Sequence, residues 1–176
     1  MASTYLRDSY ILTDFTVWIN GKGKIGESPG FQPPNIKLQV EDFRGGGMDG
    51  TVEIPFGIEK IEFDFELHTW DAEIFQNMGY GPGELDCPIE FKGYLKTPFM
   101  NEGSVKIKTL SLIKQIQPAK VAVGKKTDLT VHCVAHTYGH YVNDKEIEYV
   151  SVFDKEYRIN GVSKTKQARQ YLGMTL

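Results

Sequence analysis

Between residues 61 and 68 the chain alternates without interruption: Ile61, Phe63, Phe65 and Leu67 are apolar, and Glu62, Asp64, Glu66 and His68 between them are polar. A period of two places the sets on opposite sides of an extended chain, which predicts a strand with one buried and one wet face. Residues 15–20 read as an earlier strand, ended by Asn20-Gly21, a pair that tolerates the positive φ of a tight hairpin turn. Residues 37–43 form another extended segment, and the glycines of 44–50 predict a flexible loop after it. Apolar residues at Trp70, Ile74, Phe75 and Met78 fit one short helix over 70–78, with Thr69 placed to cap it and Gly79 to end it. Three long strands follow at 88–97, 104–117 and 127–142, and shorter ones at 145–153 and 156–159. Asn160-Gly161 then turns the chain into a terminal helix over 164–172 that stops at Gly173. The predicted class is mainly β with two small helices.

Composition narrows the functions open to such a chain. Its 176 residues suit a single domain, and no repeat, low-complexity tract or linker divides it. With 40% apolar and 24% charged residues the chain is expected to fold. A formal net charge of -3 supplies no basic field for gripping nucleic acid. No apolar run approaches a membrane span, and the first residues, with Arg7 and Asp8, lack a signal-peptide core, so synthesis and assembly in a cytoplasm are expected. Cys87 and Cys133 are too few for a disulfide framework and read as buried free thiols.

Several motifs resemble catalytic or ligand signatures but sit in the wrong setting. Gly21, Gly23 and Gly26 spell G-x-G-x-x-G, yet Pro29, Pro33 and Pro34 stand where the phosphate-binding helix would run. Gly45 to Gly47 lack the Lys-Ser/Thr of a P-loop. His132, Cys133, His136 and His140 suggest metal ligands, but their β-favouring neighbours make the segment a strand, where residues four apart are separated by roughly 13 Å. Cys133 then points to the apolar side, and the histidines decorate a polar face. Glu62, Asp64 and Glu66 share a wet face and not a cleft. No catalytic residue, metal site or cofactor is therefore expected, and the protein is not expected to be an enzyme. Trp18 and Trp70 could stack on sugars in a carbohydrate-binding module, but both occupy apolar-periodic positions that favour the core.

Three stretches carry a family resemblance: Val17-Trp18-Ile19-Asn20-Gly21; Glu41-Asp42-Phe43-Arg44-Gly45-Gly46-Gly47-Met48-Asp49-Gly50, running on to Gly57-Ile58-Glu59-Lys60; and Tyr157-Arg158-Ile159-Asn160-Gly161-Val162 followed by Leu172-Gly173. In order and spacing, residues 15–173 resemble the major tail tube family of contractile phage tails, which is related to the tubes of R-type pyocins. Residues 1–14 extend beyond the usual start, leaving 15–176 as the tube domain, and Pro29, Pro33 and Pro34 stiffen the stretch before Lys37.

The resemblance implies a compact antiparallel β-barrel or sandwich with a flanking helix and a C-terminal helix. It further implies that six copies form a ring with a continuous inner barrel and that rings stack into a hollow tube. Partners would be further copies of the chain, the tail sheath protein, the tape-measure protein, and the baseplate and tail terminator proteins. DNA would touch the wall only transiently, and no small-molecule substrate is implied. The expected channel face is the polar side of the long strands: Glu62, Asp64, Glu66, Glu90, Lys92, Lys106, Lys108, His132 and His136, with Lys96 and Asp128 beside them, a set mixed in charge. Residues 42–50 are the expected contact loop between subunits and rings, with Arg44 and Met48 as its anchors. The alternative within the same class is the tube of a DNA-free particle, either pyocin-like or of type VI secretion kind.

Overall fold

The computed structural model describes residues 10–79, 81, 86–98, 101–124 and 126–174. Their elements run β1 (Ile11–Ile19), β2 (Lys22–Lys24), β3 (Leu38–Phe43), β4 (Val52–Ile58), β5 (Ile61–Leu67), α1 (Ala72–Gln76), β6 (Cys87–Lys96), β7 (Glu102–Pro118), β8 (Leu129–Val142), β9 (Lys145–Ser151), β10 (Glu156–Ile159), β11 (Val162–Ser163) and α2 (Lys166–Tyr171). Nine strands form one antiparallel sheet in the order β11-β10-β9-β8-β7-β6-β1-β2, with β5 beside β8, while β3 and β4 form a separate hairpin. The turns are as expected: Asn20 and Gly21 have φ of 49° and 79°, Asn160 and Gly161 have 50° and 76°, matching the right-handed twist of the strands they join.

One strand organises the sheet. β8 pairs with β7 along one edge, and its other edge is shared, β5 taking residues 129–135 and β9 residues 137–142. Register shifts in β7, between Leu110 and Ser111 and between Ile113 and Gln115, let this 17-residue strand bend. The bend brings distant strands face to face. Phe63 and Phe65 of β5 meet Phe91 of β6 edge-on, with ring centroids 6.1 and 5.8 Å apart, although β8 and β7 lie between β5 and β6 in hydrogen-bond order. Phe31, from the proline-rich stretch before β3, stacks on Phe91 and closes this aromatic cluster. The alternation of β5 is reproduced residue by residue, every apolar member buried and every acidic one exposed.

A polar cluster joins the first hairpin to α1. Lys24, only 7% exposed, bonds Asp71 and Glu73, and Lys22 reaches Glu73 at 2.9 Å. The Asp71 side chain also accepts from the Glu73 backbone N–H, so the helix start and the hairpin share one carboxylate. Hydrogen bonding from Lys24 holds the Asp71 carboxyl below its ordinary 3.8, and Lys22, then Lys24, holds Glu73 below 4.5. Asp71 in turn raises Lys24. Depressed carboxylates stabilise the fold above their unfolded values and lose that contribution as pH falls through the folded ones. Melting curves should therefore show stability dropping below about pH 4, and Lys24→Met should lower the neutral-pH midpoint and flatten this acid limb.

Several expectations need correction. Among the described residues the sheet curls over a core but does not close into a barrel; β2 covers only residues 17–19 of β1, and β5 has β8 as its one strand partner, with a lone bridge from Phe31 to Phe65 on its other edge. The first strand begins at Ile11 and not at residue 15, because residues 11–14 add to its pairing with β6; residues 1–9 lie outside the described residues. Helix α1 is capped by Asp71 and not by Thr69, whose hydroxyl instead donates to Glu27. Trp70 thus precedes the helix, escapes its periodicity and is 51% exposed. Strand β4 is an addition, hidden in the sequence by Pro55 and Gly57, which an isolated hairpin tolerates. Helix α2 starts two residues later than expected, at Lys166, and ends as expected, with Gly173 at φ 70°.

Candidate functional site

The wet face of the sheet is a lattice of charges set by register. Asp64 lies opposite His132 across β5 and β8, Glu90 opposite Lys108 and Lys92 opposite Lys106 across β6 and β7. Residues directly opposite share a face, so Glu62, Asp64, Glu66, Glu90, Lys92, Lys106, Lys108 and His132 are brought together on one surface. The lattice is knitted by contacts: Asp64 to His132 at 2.6 Å, Lys92 to Glu90 at 3.2 Å, Lys106 to Asp144 at 2.6 Å and Lys114 to Glu62 at 2.7 Å. Hydrogen bonding from Lys114 keeps the Glu62 carboxyl below the usual range, and Lys106 does the same for Asp144. Asp128 sits at the margin, bonded to His68 at 2.7 Å, and Lys96 lies over the Tyr94 ring.

His136 departs from this surface. It falls where the neighbour of β8 changes from β5 to β9 and where β7 shifts register, Ala135 being opposite Ser111 and Thr137 opposite Leu110. The extra residue turns its ring toward Phe153, at 5.2 Å between centroids, and leaves Nε2 buried without a hydrogen-bond partner among the described residues. Both cysteines are free and buried, and burial pushes the Cys87 thiol up to about 11 and Cys133 further up. No group of three or more His, Cys, Asp or Glu among the described residues is placed to hold a metal, and no helix among them is long and apolar enough to cross a membrane.

The second candidate site is the β3–β4 hairpin. Phe43 pairs opposite Val52, and Asp42 to Gly50 form its tip. Arg44 and Met48 brace that tip from within: Arg44 Nε donates to the Met48 carbonyl at 3.3 Å, and the Gly45 N–H points at the Met48 sulfur at 3.2 Å. Gly47, at φ 84°, makes the left-handed step. Apolar side chains along the stem remain open to solvent, including Phe56 at 63% and Phe43 at 53%. An isolated two-stranded hairpin is marginal in water, and this one carries an apolar stem that is exposed in the single chain.

Residues 9–173 match the family model described as phage tail tube protein FII. The chain belongs to that family. The tail tube protein of Escherichia phage P2 is 20% identical over 161 residues, spanning 90% of this chain and 94% of the phage protein. The major tail tube protein of Serratia phage KSP20 is 32% identical over 53 residues, 30% of this chain and 31% of that one. In fold, a chain of the sheath–tube complex of PVC, an extracellular contractile injection system, superposes with a TM-score of 0.58 at 9% identity, covering 80% of this chain and 98% of its own. A chain of the baseplate of the anti-feeding prophage superposes with a TM-score of 0.52 at 11% identity, covering 80% and 97%. The chain is thus a structural phage tail tube protein, part of the virion tail.

Proposed function

We propose that this tail tube protein assembles as rings of six copies whose sheets continue from one subunit to the next, that the rings stack, and that the charged face of β5 to β8 lines the channel. The observation that carries the reading is that, among the described residues, strand edges of the main sheet stand open, notably residues 11–16 of β1 and most of β5, which on that side receives the bridge from Phe31 to Phe65. Open edges in a stable protein are templates for further pairing, and a neighbour in a ring satisfies them without exposing new ones. The wet face between those edges then becomes continuous around the ring. The tube domain begins no later than Ile11, where β1 starts, and the hairpin tip from Asp42 to Gly50 reaches an adjacent copy. The tube holds the tape-measure protein, later conducts DNA, meets sheath, baseplate and terminator proteins at its outer wall and ends, and is assembled in the host cytoplasm.

The channel assignment has a direct test. An Asp64→Cys variant, assembled into tubes, should react with a small maleimide but resist one carrying a bulky polymer, while the free subunit reacts with both. Equal labelling of assembled tubes by the bulky reagent would put this face on the outer wall.

A further inference from the structure

A conduit for a polyanion is best served by a wall without free cations, yet the proposed channel face carries lysines on β6 and β7. Lys92 and Lys106 are directly opposed across β6 and β7, a like-charge pair that is unfavourable by itself. The contacts show how the arrangement is relieved. Glu90 takes both Lys92, at 3.2 Å, and Lys108, at 3.7 Å, whereas Lys106 turns the other way to Asp144 at 2.6 Å. Lys92 is also held over the Trp18 ring at 4.2 Å, which fixes where its ammonium points. At the other side of the face Glu62 takes Lys114, at 2.7 Å, and Lys60, at 3.5 Å.

We infer that Glu90, Asp144 and Glu62 are built-in counter-ions that mask the lysines of this face from the phosphates of passing DNA. The inference rests on the reading of the face as channel wall. Exposed ion pairs of this kind contribute about 0–1 kcal/mol to stability, so the fold alone gives little reason for such pairing. Its effect on a polyanion is larger. DNA binds cationic surfaces mainly because each lysine that contacts a phosphate releases condensed counterions. A lysine already holding a tethered carboxylate within 4 Å must first give it up, and from beyond a Debye length of about 8 Å the pair presents no net charge. The lysines retain their long alkyl stems to cover the apolar strands beneath them, while three carboxylates offset part of the charge of the five lysines they hold. Because six copies would repeat the pattern in every ring, one missing acid would be multiplied along the tube.

The test is a titration of a DNA duplex of about 20 bp by the purified chain, read by fluorescence anisotropy. Wild-type protein should bind weakly, whereas Glu90→Gln/Asp144→Asn, which frees Lys92, Lys106 and Lys108, should bind at least about tenfold more tightly at low salt. A slope near −0.9 per contact means that a fivefold rise in salt should weaken the variant roughly 80-fold. Adding Lys92→Gln, Lys106→Gln and Lys108→Gln should return binding to the wild-type level. If circular dichroism shows the double variant unfolded, Glu90→Gln alone should show the same behaviour with two contacts. Equal binding by wild type and variant, or a folded variant without the salt-linked gain, would overturn the inference. Since free subunits are measured, this outcome does not depend on which face lines a tube, and the maleimide experiment judges that separately.

Discussion

Phe91→Ala is expected to destabilise the subunit by about 3–5 kcal/mol, the range for removing a large aromatic from a close-packed core. Phe91 is 4% exposed and touches the rings of Phe31, Phe63 and Phe65. It is therefore the point at which β6, β5 and the proline-rich stretch before β3 are pinned to one another. Truncation leaves a cavity inside the curl of the sheet, and of the ring neighbours Phe63 and Phe65 lie on a strand held by its own ladder, with little freedom to collapse. Urea unfolding should show the loss as a shift of midpoint, and thermal unfolding as a fall of roughly 10 °C. The exposed Phe56→Ser should change subunit stability by no more than about 0.5 kcal/mol. A Phe91→Ala protein as stable as wild type would mean that the aromatic cluster does not hold the two halves of the sheet together.

Deleting Gly45 to Gly47 should abolish tube growth while leaving the circular-dichroism spectrum and unfolding midpoint of the subunit near wild type. The hairpin is separate from the nine-stranded sheet and its stem side chains are exposed, so the core does not depend on its length. The tip conformation does. Gly47 makes the positive-φ step, and the spacing lets Arg44 donate to the Met48 carbonyl and the Met48 sulfur accept from the Gly45 N–H. Without three residues those bonds cannot form, and the tip loses the shape with which it would meet a neighbour. Arg44→Ala/Met48→Ala tests the same point without shortening the chain, and should slow growth less than the deletion does. Normal tubes from the deletion variant would reduce the tip to a solvent-exposed turn.

Which parts of this architecture could be read from the chain follows from the range of the forces involved. β5 was legible because its period of two is unbroken and one face is wholly buried. The two Asn-Gly turns were legible because positive φ is a local demand that few residues meet. β4 was obscured by Pro55 and Gly57, which argue against a strand unless the strand lies at an open edge. The start of α1 depended on a distant partner: Asp71 caps it while bonded to Lys24, 47 residues earlier in the chain. His136 was misplaced for a similar reason. Counting by twos along β8 puts it beside His132, but the switch of neighbour from β5 to β9 and the register shift in β7 interrupt the count. In the proposed ring the curled sheet would be closed by further copies of the chain, and no pattern within one subunit encodes such closure directly.

The same long strands make the pairing of charges predictable only after register is known. Glu90 and Lys108 are 18 residues apart in the chain and directly opposite in space, and Glu62 meets Lys114 across the shoulder created by the second shift in β7. A sequence count sees a face of mixed sign, whereas on the folded face Lys92, Lys106, Lys108 and Lys114 each have a carboxylate within 4 Å, Glu90 and Glu62 each serving two lysines. That distinction decides whether lysines on a channel wall would retard DNA.

The central claim, that this subunit is completed by copies of itself, is tested most directly by electron microscopy of the purified chain at millimolar concentration, with sedimentation velocity on the same sample. Six-fold rings, and stacks of them forming hollow tubes, are the predicted result. A single species sedimenting at the 19.9 kDa mass of one chain, with no rings in the images, would contradict the account.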